Sequence, residues 1–201
     1  CNTSRLGCDL LVLSSHKVGG PKGAGALVLA EDVVLPAALI RGGGQERGRR
    51  AGTENVLAAA GFGAAVTATI TAMDAEVPRM RQLRGKLEAG LKAVEGTVIF
   101  AEELSRLPNT TLFAAPGIKA ETAVIGFDLE GVAVSSGSAC SSGKVQPSHV
   151  LAAMGIPPAL AGGAIRLSLG WLTTPEDVET CIKVWRKLAK TLHRASEGSP
   201  A

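Results

Sequence analysis

Ser14-Ser15-His16-Lys17-Val18-Gly19-Gly20-Pro21-Lys22-Gly23-Ala24-Gly25 is a polar, glycine-rich corner between two apolar runs. A turn between strands needs only a few glycines, prolines or asparagines. This one adds two hydroxyls, a histidine and two lysines. Clustered backbone N–H groups, hydroxyls and a cation suit a phosphate. A lysine at a strand end, partly desolvated beside a second cation, is also one whose pKa falls; at about 7–8 its amine can attack a carbonyl. A solvated basic hairpin loop is the alternative, and composition alone leaves both open.

Cys140 lies in Ser135-Ser136-Gly137-Ser138-Ala139-Cys140-Ser141-Ser142-Gly143-Lys144, among small polar residues and two glycines. A structural cysteine prefers a packed apolar setting. The segment is expected instead to be exposed and mobile, with an accessible thiol partly ionised near Lys144. A Ser/Gly linker that happens to hold a cysteine is the competing reading. Arg166 interrupts the apolar run 164–170, where a guanidinium is costly unless paired; its planar fork suits a carboxylate, and an internal salt bridge is the alternative. Thr53 closes a glycine- and arginine-rich loop, 41–55, longer than a simple connection needs. It precedes a helical stretch and can act as its N-cap, where free N–H groups make an anion site; the loop can also be read as a flexible basic linker. His149 opens a short helix and reads as capping or packing rather than catalysis.

The elements that must position these residues follow from periodicity. Residues 10–13 and Gly25–Leu29 read as short strands. The run 33–40 is interrupted by Pro36 and reads as an edge strand or an extended connection. Residues 55–94 are helical in period, with Pro78 ending one helix or kinking it and 79–92 forming an amphipathic surface helix. Strands are expected at 97–100, 110–113, 132–135 and 164–168, and helices at 120–129 and 147–154. Thr174-Pro175-Glu176-Asp177 starts a last helix, with Thr174 as cap and Pro175 at its first position, running to about residue 192 before a frayed tail. Strands alternating with helices indicate an α/β unit.

The chain has 201 residues, 46% of them hydrophobic, enough for one sizeable core or pieces of two. Net charge is +3 with dispersed Lys and Arg, and aromatics total 3%, which argues against a nucleic-acid surface. Cys1, Cys8, Cys140 and Cys181 have irregular spacings that fit neither a disulfide framework nor a zinc site, so reduced, cytoplasmic thiols are expected, with Cys181 in ordinary packing. The uncharged stretch 56–73 has the length of a membrane span; its Ala, Gly and Thr content favours a buried helix made for close packing. A first residue that is not Met, and a first strand that begins almost at once, suggest the C-terminal part of a longer protein.

Ser14-Ser15-His16-Lys17 followed by Gly20-Pro21-Lys22-Gly23 resembles the cofactor-lysine segment of pyridoxal-phosphate enzymes of fold type I, and is most similar to the cysteine desulfurases of the NifS/IscS kind. Gly42-Gly43-Gly44-Gln45-Glu46 with Arg49-Arg50-Ala51-Gly52-Thr53-Glu54-Asn55 resembles the segment that follows it in that family. Ser135 to Ser141, followed by Pro147-Ser148-His149-Val150-Leu151, resembles the catalytic loop of the desulfurases with a long loop. The resemblance implies an α/β chain made of three parts: the end of the large cofactor-binding domain (1–60), linking helices (61–95) and a small domain carrying the cysteine loop (96–201).

It implies that Lys17 holds pyridoxal 5'-phosphate as a Schiff base, with Ser14, Ser15 and His16 beside its phosphate. Thr53 would reach the cofactor phosphate of the partner subunit in a homodimer, and Arg166 would bind the carboxylate of L-cysteine. Cys140 would be the nucleophile that takes the sulfur as a persulfide, and through it a possible iron–sulfur ligand. The acceptor would be an iron–sulfur scaffold or another sulfur-accepting protein, with neither nucleic acid nor membrane as partner. The family's ring-stacking histidine, pyridine-pairing aspartate and ring-contacting glutamine precede the lysine segment and have no match here, so this chain alone is expected to bind cofactor poorly. A selenocysteine lyase or an aminotransferase of the same fold, and a non-catalytic binding fragment, are the other readings; Cys140 speaks against the aminotransferase.

Overall fold

The computed structural model describes residues 3–34, 37–137 and 148–197. The chain forms two compact units, Cys1–Met73 and Asp74–Ala201.

The first unit opens with a one-turn helix α1 (Thr3–Leu6) and an antiparallel hairpin of β1 (Leu10–Ser14) and β2 (Gly25–Leu29). Leu10 pairs with Leu29 and Ser14 with Gly25. A hydrogen bond from Ser15 N–H to the Ala24 carbonyl (3.1 Å) carries the ladder one step further. No strand forms among the described residues of 33–40, so that run is a connection.

Helix α2 (Val56–Lys92) then begins in the first unit. Its small residues let the hairpin loop come close. A Cβ on Gly61 would stand 2.5 Å from Pro21 Cγ, and one on Gly20 would stand 3.3 Å from Ala65 Cβ. The rest of this stretch is not the buried helix expected from its composition. Its apolar window has a mean hydropathy of 1.7 and is 11% buried, with Leu57 87% and Ile70 64% exposed. By length and composition alone α2 could cross a membrane. The reason for the difference is that Gly61 and Ala65 supply the contact to the hairpin loop, and the bulkier side chains point elsewhere.

Pro78 does not end the helix. It has no N–H to give the Asp74 carbonyl, yet α2 runs on to Lys92. Leu83, Leu87 and Leu91, spaced by four, are buried on one face of its second half.

The second unit is a four-stranded antiparallel sheet in the order β3-β4-β6-β5. In chain order its elements are β3 (Val98–Ile99), β4 (Thr110–Ala114), α3 (Ala120–Leu129), β5 (Ser135–Ser136), α4 (His149–Ala153), α5 (Pro158–Ala161), β6 (Ile165–Ser168) and α6 (Pro175–Glu197). Alternation along β4 and β6 divides the side chains between two faces. Phe113, Ile165 and Leu167 join Leu83, Leu87 and Leu91 of α2, Phe127 of α3, and Val178, Ile182 and Trp185 of α6. Trp185 meets Phe113 edge-on at 4.9 Å and stacks on Phe127 at 6.2 Å; its Nε1–H donates to Thr97 Oγ1 (3.1 Å). The other face gathers Phe100, Ala114, Ala164 and Leu151, with Leu112, Ile156 and Leu160 packed against them.

Strand β5 sits later than the expected 132–135. Val132 and Val134 alternate like strand residues because they pack on the core, but the ladder to β6 begins only at Ser135. Helix α6 is capped as expected. Asp177 N–H donates to Thr174 Oγ1 (3.2 Å) and Thr174 N–H to Asp177 Oδ2 (2.9 Å), a reciprocal box, and the helix passes the expected end at residue 192.

Candidate functional site

At the end of β1 the backbone tightens into a 3-10 turn, Ser15–Val18, closed by Gly19 at φ 84°. Left-handed backbone of this kind favours glycine. The turn brings four functional groups onto one short arc. Ser14 Oγ and His16 Nδ1 share a hydrogen bond of 3.0 Å. Lys17 is exposed, so the partial desolvation expected of it is not seen. Ser15 is fully buried, and its Oγ has no hydrogen-bond partner. Gly20 makes room for that hydroxyl, since a Cβ there would overlap it. A buried hydroxyl without a partner is costly, and Ser15 Oγ is left with hydrogen-bonding capacity that no described residue uses.

Thr53 is exposed and does not cap α2. Asn55 takes that position: Ala58 N–H donates to Asn55 Oδ1 (3.1 Å), and Ala59 N–H to the Asn55 carbonyl (2.9 Å). The helix starts after Asn55, so Thr53 lies two residues before the cap position, too early to reach its first N–H groups. The Thr53 hydroxyl is thereby left available.

In the second unit, Arg166 alternates away from Ile165 and Leu167, and so occupies the sheet face that α4 and α5 cover. In register it stands opposite Leu112 of β4 and Ser135 of β5. Its Nε is buried without a partner. The internal salt bridge weighed for it is not formed among the described residues. Other arginines of this unit are paired: Arg106 makes two hydrogen bonds to Glu88 (2.8 and 3.1 Å), and Arg79 binds Glu76 (2.7 Å). A guanidinium with its fork unspent on a sheet face can take a carboxylate.

Cys140 lies outside the described residues. The chain on either side of its segment is anchored. Gly137 N–H donates to the Ala164 carbonyl (2.7 Å), and Ser148 caps α4, its Oγ accepting from Leu151 N–H (3.3 Å). His149 beside it is exposed, the cap being Ser148. Cys181 is core, as expected, with burial pushing its thiol up to about 11. Sequence reasoning assigned Ser135 no partner; its place opposite Arg166 became visible only with the sheet register.

The chain matches the aminotransferase class-V family over residues 1–181. It is 41% identical over 196 residues to the cysteine desulfurase IscS of Dictyoglomus turgidum, covering 97% of this chain and 50% of that protein. It is 43% identical over 176 residues to a cysteine desulfurase of Rhodobacter capsulatus, covering 88% and 46%. The solved NifS-like protein of Rickettsia africae superposes with a TM-score of 0.83 at 37% identity, over 94% of this chain and 49% of that one. The chain spans about half the length of the curated relatives it matches. The expected α/β fold, that of the NifS-like fold-type-I proteins, therefore stands, and the chain belongs to the aminotransferase class-V family.

Proposed function

We propose that the protein is a cysteine desulfurase, which releases alanine from L-cysteine and passes the sulfur on as a persulfide. The observation that carries this reading is the unpaired guanidinium of Arg166, set opposite Ser135 on the strand that leads into the Cys140 segment. The relatives with 41–43% identity that are named cysteine desulfurases support it.

The residues present fit pyridoxal 5'-phosphate. Lys17 offers an exposed amine to its aldehyde, while Ser14, His16 and the unpartnered Ser15 hydroxyl offer hydrogen bonds to its phosphate. When bound, the cofactor supplies an electron sink for negative charge at the substrate Cα. Arg166 holds the substrate carboxylate. Lys17, as a free amine, moves the proton at Cα. The Cys140 thiolate attacks the substrate sulfur: an S–S bond forms, the substrate Cβ–S bond breaks with its electron pair left on carbon, and protonation there gives alanine. A thiolate of an iron–sulfur scaffold or another acceptor protein then attacks the outer sulfur of the Cys140 persulfide, forming a new S–S bond and releasing Cys140 as a thiolate; before that transfer the persulfide gives Cys140 a way to meet cluster iron.

On this reading residues 1–60 close the cofactor domain, 61–95 link, and 96–201 form the small domain. Thr53 completes the partner subunit's site in a homodimer. A reducing, cytoplasmic setting keeps Cys140 a thiol.

The test is the full-length protein with cofactor, L-cysteine and a reductant. Alanine and sulfide are expected in equal amounts, together with an absorbance band that depends on Lys17. Cys140→Ser should retain the band and lose both products. Sulfide release by the Cys140→Ser protein would overturn the assignment of the nucleophile, and absence of the band in the unaltered protein would overturn the activity itself.

A further inference from the structure

The second unit keeps a cavity of about 260 Å³ between β6, the start of α6 and the chain that leads into β5. It arises where the sheet ladder stops. β5 pairs with β6 at Ser135–Arg166 and Ser136–Ile165, and no earlier. Val132 N–H donates instead to the Phe127 carbonyl (2.9 Å) and Gly131 N–H to the Asp128 carbonyl (2.9 Å), so residues 131–133 are tied to the end of α3. A gap is left opposite residues 167–169. Its other side is pinned as well. Gly170 N–H donates to Thr173 Oγ1 (2.8 Å) and Thr173 N–H to the Gly170 carbonyl (3.1 Å), which closes the turn between β6 and α6. Arg79 of α2 then donates to the Thr173 carbonyl (2.7 Å). The cavity is formed in advance, and little ordering is needed to fill it.

Leu87, Val132, Leu167, Leu169, Val178 and Cys181 make apolar walls. Burial pushes the Cys181 thiol up to about 11, so it is a neutral wall group and not a nucleophile. The polar groups of the lining are acceptors. Thr180 spends its hydroxyl proton on the Glu176 carbonyl (2.9 Å), which leaves its oxygen to accept. Asp177 is exposed at the mouth and is the one charged side chain of the lining. One of its oxygens takes the Thr174 N–H (2.9 Å), and among the described residues no cation pairs with it. Arg79, the nearby cation, is itself held to Glu76 (2.7 Å).

We infer that this cavity binds a small organic cation, its ammonium at Asp177 and its apolar body between the walls. An N–H donor with positive charge meets acceptors there, and an anion would meet a carboxylate with no Lys, Arg or His in the lining. The volume falls short of the roughly 300–1,000 Å³ of sites for drug-sized molecules, which limits the occupant to about one ring. The inference does not depend on the desulfurase reading, and none of the residues proposed for that chemistry lines the cavity.

The test titrates the full-length protein, followed by fluorine NMR, into N,N-dimethyl-para-fluorobenzylamine. This tertiary amine cannot form an imine with a cofactor aldehyde, so the cofactor site is not read. Saturable broadening of the fluorine signal is expected. Asp177→Asn keeps a side-chain oxygen for the Thr174 N–H, so the helix cap survives, and it should weaken binding about tenfold. Ala133→Phe, at an exposed position of the lining, should block the mouth and abolish binding. The neutral para-fluorobenzyl methyl ether should bind about tenfold more weakly than the amine, and para-fluorobenzoate should not bind. Absence of saturable binding, or binding that both variants leave unchanged, overturns the inference. An ether that binds as tightly as the amine overturns it in favour of a purely apolar site.

Discussion

Arg166 of β6 and Ser135 of β5 face each other across the sheet edge, and the arginine has no ion pair among the described residues. A buried donor left unsatisfied costs about 1–3 kcal/mol. Such a group is retained against stability. Arg166→Gln should therefore unfold no earlier than the unaltered chain in thermal melts, and with relief of the orphaned Nε somewhat later. On the proposed desulfurase reading, the same change in the full-length protein should lower kcat/KM for L-cysteine about 100-fold or more, with most of it in KM. A destabilised protein with normal KM would show instead that Arg166 is structural.

Asn55 and Thr53 separate stability from chemistry in the same way. Asn55 Oδ1 accepts the Ala58 N–H, so Asn55→Ala should cost about 1 kcal/mol, read from denaturant midpoints. Thr53 makes no cap, so Thr53→Ala should leave the midpoint in place. If its hydroxyl reaches cofactor phosphate in a dimer, that variant should bind cofactor more weakly, as titration of the absorbance band would show.

Much of this architecture could be read from residue order, and the gaps have physical causes. Residues 10–14 and 165–168 announce themselves as strands by apolar runs bounded by glycine and polar residues. Thr174-Pro175 announces α6 because the cap is local chemistry. Of the two outcomes expected at Pro78, an end to the helix does not occur, because the loss of one helical hydrogen bond is outweighed by the packing of Leu83, Leu87 and Leu91 beyond it. Val132 and Val134 mislead because burial in a core produces the same alternation as a strand. Thr53 and Asn55 are both good caps, and only the place where α2 starts decides between them. At the candidate site, the sequence shows Arg166 as a cation inside an apolar strand and Lys17 as a cation in a glycine-rich turn. The isolation of Ser15 Oγ and the Ser135–Arg166 register are not legible there, since both are properties of tertiary structure.

Gly85 and Gly90 lie in the same helix and predict opposite signs. Nothing stands within 4 Å of a Cβ built on Gly85, so Gly85→Ala should stabilise by about 0.5–1 kcal/mol through helix propensity. A Cβ on Gly90 would stand 2.6 Å from Ile182 Cγ1, inside the core under α6. Gly90→Ala should destabilise by about 1–3 kcal/mol as the core is overpacked. Thermal melts of the two variants check both signs.

Glu88 makes the last prediction, on pH. It is buried, accepting from Arg106 (2.8 Å), from Thr111 Oγ1 (2.8 Å) and facing Arg84 (3.8 Å). Burial by itself raises its pKa. The hydrogen bonds from Arg106 and Thr111 and the charges of Arg106 and Arg84 prevail, and hold it below the ordinary carboxylate value. A carboxylate with a lowered folded pKa binds fewer protons folded than unfolded. Its contribution is thus complete above the ordinary glutamate range and drains away as pH falls from that range through the lowered value. Glu88→Gln breaks the pair and leaves Arg106 short of its counter-charge, at a cost of about 3 kcal/mol near neutrality. That deficit should shrink as the solution is acidified, because the unaltered protein loses what the variant never had. Denaturant titrations of both proteins across the acidic range measure it, and a gap that stayed constant down to full protonation would show that Glu88 contributes shape rather than charge.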